Sequence, residues 1–306
     1  MAGNRSGEFY LVSAPRAFLY SAPGKTDARG EGPQTDEVFS GWAVAACGER
    51  EDGWVRIQTH YGYTGWVRGE ALCPVCRAEL KERQDGERFR AVAEAWTDLT
   101  AEPRVQGTLL TTLPRGSIAE VLPEPERDGW ILVRDAGGTE GWTHAAGLRP
   151  RADGDAFLLE GNGDLNWFRE RGIPEKDEPR LRKAAAESAM RWMGAPYRWG
   201  GKAADGIDCS GLAFMSWMEN GILIWRDAAI RPEYPVRPIA RESLREGDLI
   251  FFPGHVAVYL GGGKYIHATA YAKTPRVTVN SLNPEDPDYR EDLDRSVTAC
   301  GCLFAK

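Results

Sequence analysis

Asp205-Gly206-Ile207-Asp208-Cys209-Ser210-Gly211-Leu212 sets a thiol where a polar, glycine-punctuated turn meets an apolar run, residues 212–218, closed by Asn220-Gly221. Asp ahead of such a run is an N-cap signal and Gly beyond it a stop signal. The pattern predicts a short buried helix with Cys209 in its first turn. There the unpaired backbone N–H groups and the positive end of the helix dipole favour the thiolate and lower its pKa. The same N–H groups can hold an oxyanion that forms beside the sulfur. A free cysteine is commonly just a small buried hydrophobe, so the nucleophile reading depends on its company.

That company lies on both sides. Upstream, Ala195-Pro196-Tyr197-Arg198-Trp199-Gly200-Gly201 brings glycines that let backbone crowd a ligand. Tyr197 and Trp199, two apart, face the same side if the segment is extended. Downstream, residues 246–253 read as a strand ending at Pro253, residues 255–260 as a second and residues 264–268 as a third, the last two joined by Gly261-Gly262-Gly263. A three-residue loop pairs Leu260 with Lys264 and Ala257 with His267. His255 and His267 then share one face as diagonal neighbours, with backbones roughly 7–8 Å apart. One imidazole can serve as base for a thiol while the second orients the first. The remaining histidines, His60 and His144, stand next to turns and read as surface residues.

The chain has 306 residues, room for two or three domains. Its net charge of -7 and pI near 5.4 argue against nucleic acid and anionic membranes as partners. No apolar run approaches the length of a membrane span. Residues 1–12 lack a basic or apolar leader pattern, so the expected location is the cytoplasm. Six cysteines fit a reducing compartment. Cys73/Cys76 and Cys300/Cys302 have the look of half-sites for zinc, but no histidine is near either pair in sequence, and they read as incidental thiols. Nothing calls for a metal, a cofactor or an obligate protein partner.

The first half repeats itself. Asp52-Gly53-Trp54 returns 76 positions later as Asp128-Gly129-Trp130, Gly65-Trp66 as Gly141-Trp142, and Leu72…Pro74 as Leu148…Pro150. Upstream the match loosens, as an insertion in the early loop of the first copy, residues 24–34, would require. Short alternating runs between Gly, Pro and Asp clusters predict a small all-β barrel in each copy. The expected domains are a first barrel over 1–76, a charged solvated linker over 77–87, a second barrel over 88–150, a surface-draped connector over 151–178 and a last domain over 179–306, opening with a helix at 181–193.

These segments resemble bacterial SH3-like domains, which carry the D-G-W…G-W pattern. The order P-Y-x-W-G-G, D-C-S-G-L, G-H-V-A-V-Y and Y-I-H-A, over residues 180–306, strongly resembles the NlpC/P60 cysteine peptidases. That resemblance implies an α+β papain-like catalytic domain that cleaves amide bonds of bacterial cell-wall peptides. It assigns Cys209 as nucleophile, His255 as general base and acid, His267 as orienting residue and Tyr197 as a contributor to the oxyanion site. The full layout looks like the YkfC-type γ-D-glutamyl-L-diamino acid endopeptidases, which release L-Ala-γ-D-Glu from murein peptides with a free N-terminus during recycling. The implied substrate residues are Asp208 and Ser210 flanking the nucleophile, Trp199, Asp227, and a wall tyrosine from the first barrel, Tyr63, with Tyr61 as its rival. Ala228 stands where such enzymes often carry serine. The alternative is a secreted or phage-type peptidoglycan endopeptidase whose SH3-like domains bind the wall.

Overall fold

The structure, a computed structural model, describes residues 8–24, 34–152, 154–270, 273 and 275–304. It divides into two compact units, residues 1–163 and 164–306. The proposed insertion in the early loop falls largely on residues 25–33, outside the described residues.

In the first unit each repeat folds into a seven-stranded antiparallel sheet. The strands of the first are ordered Gln34–Phe39, Arg16–Tyr20, Thr64–Arg68, Trp54–Thr59, Ala43–Glu51, Phe9–Val12, Leu72–Val75. The second runs Leu109–Pro114, Trp96–Thr100, Glu140–His144, Trp130–Arg134, Ile118–Val121, Phe89–Val92, Leu148–Pro150, the same order. The Asp-Gly pairs explain the most regular part of the repeat. Asp52 and Gly53 have φ of 45° and 81°, Asp128 and Gly129 of 50° and 83°, the doubly positive φ that a two-residue hairpin of right-handed twist demands. Each turn delivers the following Trp into the next strand. Val92, Leu99, Leu113, Ile131, Val133 and Leu148 form the core of the second barrel, each buried aliphatic contributing ~1.5–3 kcal/mol.

The pieces between domains are anchored rather than loose. Within residues 77–87 the helix Arg77–Glu82 opens with a capping box between Cys76 and Glu79 and buries Leu80 completely. Arg83 donates to the Gly41 carbonyl at 2.7 Å. The expected surface drape over 151–178 is also corrected. Arg151 and Asp155 form a buried bidentate pair at 2.8 and 3.0 Å, and the helix Ala156–Glu160 buries Phe157, Leu158 and Leu159. The composition of that stretch, rich in Gly and Asp, hid a short apolar triplet. His60 is likewise no surface residue. It is fully buried among Trp42 and Tyr61, whereas His144 is exposed and lies over Trp130.

The second unit is α+β. Helix α1, Glu178–Met190, begins three residues earlier than the apolar spacing indicates, because Pro179 fits the first turn of a helix. Helix α2, Cys209–Met218, packs against it. Behind them a six-stranded antiparallel sheet has the order β1 (Arg237–Ile239), β6 (Ala299–Cys302), β2 (Leu249–Phe252), β3 (His255–Gly261), β4 (Lys264–Thr269) and β5 (Arg276–Ser281). Helix α2 lies on β3 and β4. Tyr259 pairs with Tyr265 and Val258 with Ile266, which carries the expected register to Ala257 and His267. At the turn it differs: Gly261, not Leu260, pairs with Lys264, so Leu260 is bulged and the loop shortens to two glycines. Gly261, Gly262 and Gly263 all have positive φ, which makes the tighter turn accessible.

Candidate active site

Cys209 opens α2 as its first residue, and Asp208 caps the helix by accepting the Gly211 N–H at 2.6 Å. The fold of this turn is tight. A side chain on Gly211 would put its Cβ 2.3 Å from the Gly201 carbonyl, so only glycine lets the two strands of backbone meet. The sulfur is reached by backbone N–H groups of Ser210, in its own turn, and of Val256, the residue after His255. That second contact ties the helix to the histidine strand.

His255 and His267 meet across the hairpin, Nε2 to Nδ1, at 2.7 Å. The other nitrogen of His267 lies 3.0 Å from Oδ1 of Asn280 on β5, and the Asn280 amide donates to the Asp288 carbonyl at 2.8 Å. Cys209, His255 and His267 are therefore brought to one place. Asn280 is an addition to the residues expected from sequence. Its signal was present in the polar side of the alternating stretch Arg276–Ser281, where Thr278 and Asn280 alternate with Val277 and Val279.

Electrostatics corrects the first expectation for the thiol. Burial, then the Asp208 carboxylate, push Cys209 up to about 11, opposed by the Val256 N–H, Arg226 and the Ser210 N–H. The helix mouth does not outweigh desolvation here. Burial, then His267 and Arg290, hold His255 down at about 3, and burial holds His267 down at about 4 against the Asn280 hydrogen bond. Burial thus works against the charged form of both the thiol and the imidazole.

Asp208 and Ser210 are engaged inward. Besides the cap, Asp208 accepts the Gly200 N–H at 2.7 Å and both terminal nitrogens of Arg226 at 3.0 and 3.2 Å. Ser210 donates to Asp208 at 3.2 Å and accepts from Arg226 at 2.8 Å. Arg226 is 1% exposed. The Asp208 carboxylate is thus charge-balanced by Arg226 beside the sulfur, while Ser210 also faces a small pocket. Sequence reading passed over Arg226 in favour of its neighbour, because their alternation in a loop gives no face. Asp227 is the exposed one of the two, and with Ser210, Trp225, Arg231 and Val256 it lines a small pocket.

Tyr197 is half-buried and sits close enough for charge on Cys209 and Asp208 to be felt at its phenol. Burial first, and those charges next, keep it protonated, so it is a neutral O–H donor. Trp199 is 65% exposed and lies in the turn that follows, not in an extended segment. In the first unit, Tyr61 is buried with its hydroxyl bonded to Asp36, while Tyr63 is partly exposed in the tight turn between Trp54–Thr59 and Thr64–Arg68. Of the two tyrosines, only Tyr63 has surface to offer.

All six cysteines are free thiols. Among the described residues no group of three or more His, Cys, Asp or Glu side chains is arranged to hold a metal ion.

Residues 194–289 match the NlpC/P60 family, and residues 99–149 match the bacterial SH3 domain. Dipeptidyl-peptidase 6 of Lysinibacillus sphaericus is 33% identical over 299 residues, covering 96% of this chain and 99% of that one. The γ-D-glutamyl-L-lysine dipeptidyl-peptidase of Bacillus subtilis is 31% identical over 121 residues, 35% of this chain and 40% of that one. The crystal structure of an NlpC/P60 family protein from Bacillus cereus covers 97% of this chain and 100% of its own, with a TM-score of 0.70 at 19% identity, a likeness of fold.

Proposed function

The chain belongs to the NlpC/P60 family of cysteine peptidases, and from that premise we propose that it hydrolyses the γ-D-glutamyl–L-diamino acid bond of cell-wall peptides whose N-terminal L-Ala is free, releasing L-Ala-γ-D-Glu. The observation that supports this best is the near full-length match to a dipeptidyl-peptidase, two barrels included. We place the reaction in cytoplasmic recycling of murein peptides, which fractionation of cells would test.

In the proposed reaction His255 takes the Cys209 proton while His267 holds its ring. The thiolate attacks the γ-glutamyl carbonyl, and the new S–C bond leaves a tetrahedral oxyanion. Backbone N–H groups at the α2 mouth and the neutral Tyr197 hydroxyl are the donors available to it. His255 returns the proton to the leaving amine, and water then cleaves the thioester. Asp208 and Ser210, flanking the sulfur, are proposed to supply the anion and the hydroxyl that meet the substrate ammonium, with Asp227 lining the pocket beside Ser210. Trp199 is proposed as a flank of the substrate.

The experiment compares L-Ala-γ-D-Glu-diamino acid tripeptides with free and with acetylated N-termini, products identified by mass. Cleavage of the free peptide alone is expected; equal turnover of both sinks the free-amine requirement. Cys209→Ala should abolish turnover and leave the thermal transition in place. His255→Ala should lose more activity than His267→Ala, because the proton carrier matters more than its orienter.

A further inference from the structure

We propose that Asn280 is a positioning residue that fixes which nitrogens of the His255–His267 pair carry protons, leaving Nδ1 of His255 bare toward the thiol. The Asp288 carbonyl, 2.8 Å from Asn280, can only accept, so the amide end facing it is the NH₂ group. Oδ1 of Asn280 then faces Nε2 of His267 at 3.0 Å and requires a proton there. A neutral imidazole has one N–H. Nδ1 of His267 is therefore an acceptor, and the 2.7 Å contact takes its proton from Nε2 of His255. The one nitrogen of His255 left over, Nδ1, is unprotonated.

This order is what proton abstraction needs. A thiol can give its proton only to a bare nitrogen, and the resulting imidazolium still donates from Nε2 to His267. Reversing both rings would satisfy the His–His contact equally well, with Nδ1–H of His267 donating to Nε2 of His255. It would leave a proton on the nitrogen that must accept one. Without the Asn280 oxygen the two arrangements lose the interaction that separates them. Charged groups nearby, Arg290 and Asp292, bear on the pair but make no hydrogen bond that selects a nitrogen.

With four histidines in the chain, ring nitrogen–proton correlation spectra can read each tautomer at neutral pH. In the native protein both His255 and His267 are expected as Nε2–H; either ring found as Nδ1–H overturns the assignment without any variant. Asn280→Leu should give mixed tautomers and lower kcat about tenfold, the effect of losing one hydrogen bond, with KM within about twofold. Asn280→Asp keeps the acceptor and should restore Nε2–H on His267 and most of kcat. Native tautomers and native kcat in Asn280→Leu sink the proposal, and if that variant does not fold, the native spectra and Asn280→Asp decide. The kinetic arm rests on the peptidase reading, but the spectra do not. Nε2–H rings in a protein that cleaves no peptide would reject that reading and leave the positioning role standing.

Discussion

Asp208 brings a negative charge beside a sulfur that must itself become negative. Arg226 resolves the conflict: its guanidinium holds the carboxylate from one side while Gly200 and Gly211 hold it from the other. Removing one partner of a buried pair strands the other, so Arg226→Ala should cost about 3–5 kcal/mol in denaturant unfolding. Unchanged stability would mean that the carboxylate is solvated by other means. The histidines give a second expectation. Both rings are held below 6.5, at about 3 and about 4, mainly by burial. Between 6.5 and those values the unfolded chain binds more protons than the folded one, so stability is full above 6.5 and declines as pH falls through that window. The slope for His267 reaches at most ~1.4 kcal/mol per pH unit. His267→Gln should flatten it, as measured by unfolding midpoints between pH 7 and 5. The place of Cys209 at a helix mouth and the meeting of His255 with His267 were legible from spacing. Arg226 and Asn280 were not, because each acts through a contact that only the folded chain makes, Arg226 on a carboxylate 18 positions back.

The nucleophile helix and the histidine hairpin are the two elements the sequence described best, and each held a detail that patterning could not supply. In α2, Asp208 and the closing Asn220-Gly221 marked both ends. The close approach of Gly211 to the Gly201 carbonyl had no such marker, since it joins the first turn of α2 to a preceding loop. Gly211→Ala should displace that turn and destabilise by about 1–3 kcal/mol, with activity falling further than stability because the sulfur moves with the turn; an unperturbed variant by calorimetry and turnover would refute the close contact. In the hairpin, alternation fixed the face of both histidines, but the loop did not announce the bulge at Leu260. Register survived because the bulge lies beyond Tyr259, between the turn and the two histidines. Connecting segments fared worst. Their polar composition masked Leu80, the triplet Phe157, Leu158 and Leu159, and Phe168, apolar anchors too short to make a periodic signal.

At the scale of the molecule, the repeat was visible because turns are conservative in chemistry: Asp-Gly hairpins need the same two residues twice. What the repeat concealed was asymmetry. The indole of Trp42 in the first barrel donates to the Gly116 carbonyl of the second at 2.7 Å, and the Ile118 N–H reaches the Ser40 carbonyl at 2.8 Å. Trp42 is 1% exposed and packs on Phe39, His60 and Tyr61. Trp42→Ala should cost about 3–5 kcal/mol, read as an earlier melting transition of the N-terminal unit; retention of the wild-type transition would show the seam to be dispensable. The joint brings like to like: Gly41 and Trp42 of one copy abut Gly116 and Ile118 of the other, Gly116 being the counterpart of Gly41. Because each copy spends the same loop on the other, the contact is used up within the pair and offers no matching patch to a third copy. The second copy carries Ser117 at the position of Trp42, so a single indole, supplied from one side, fills a seam made of two equivalent loops.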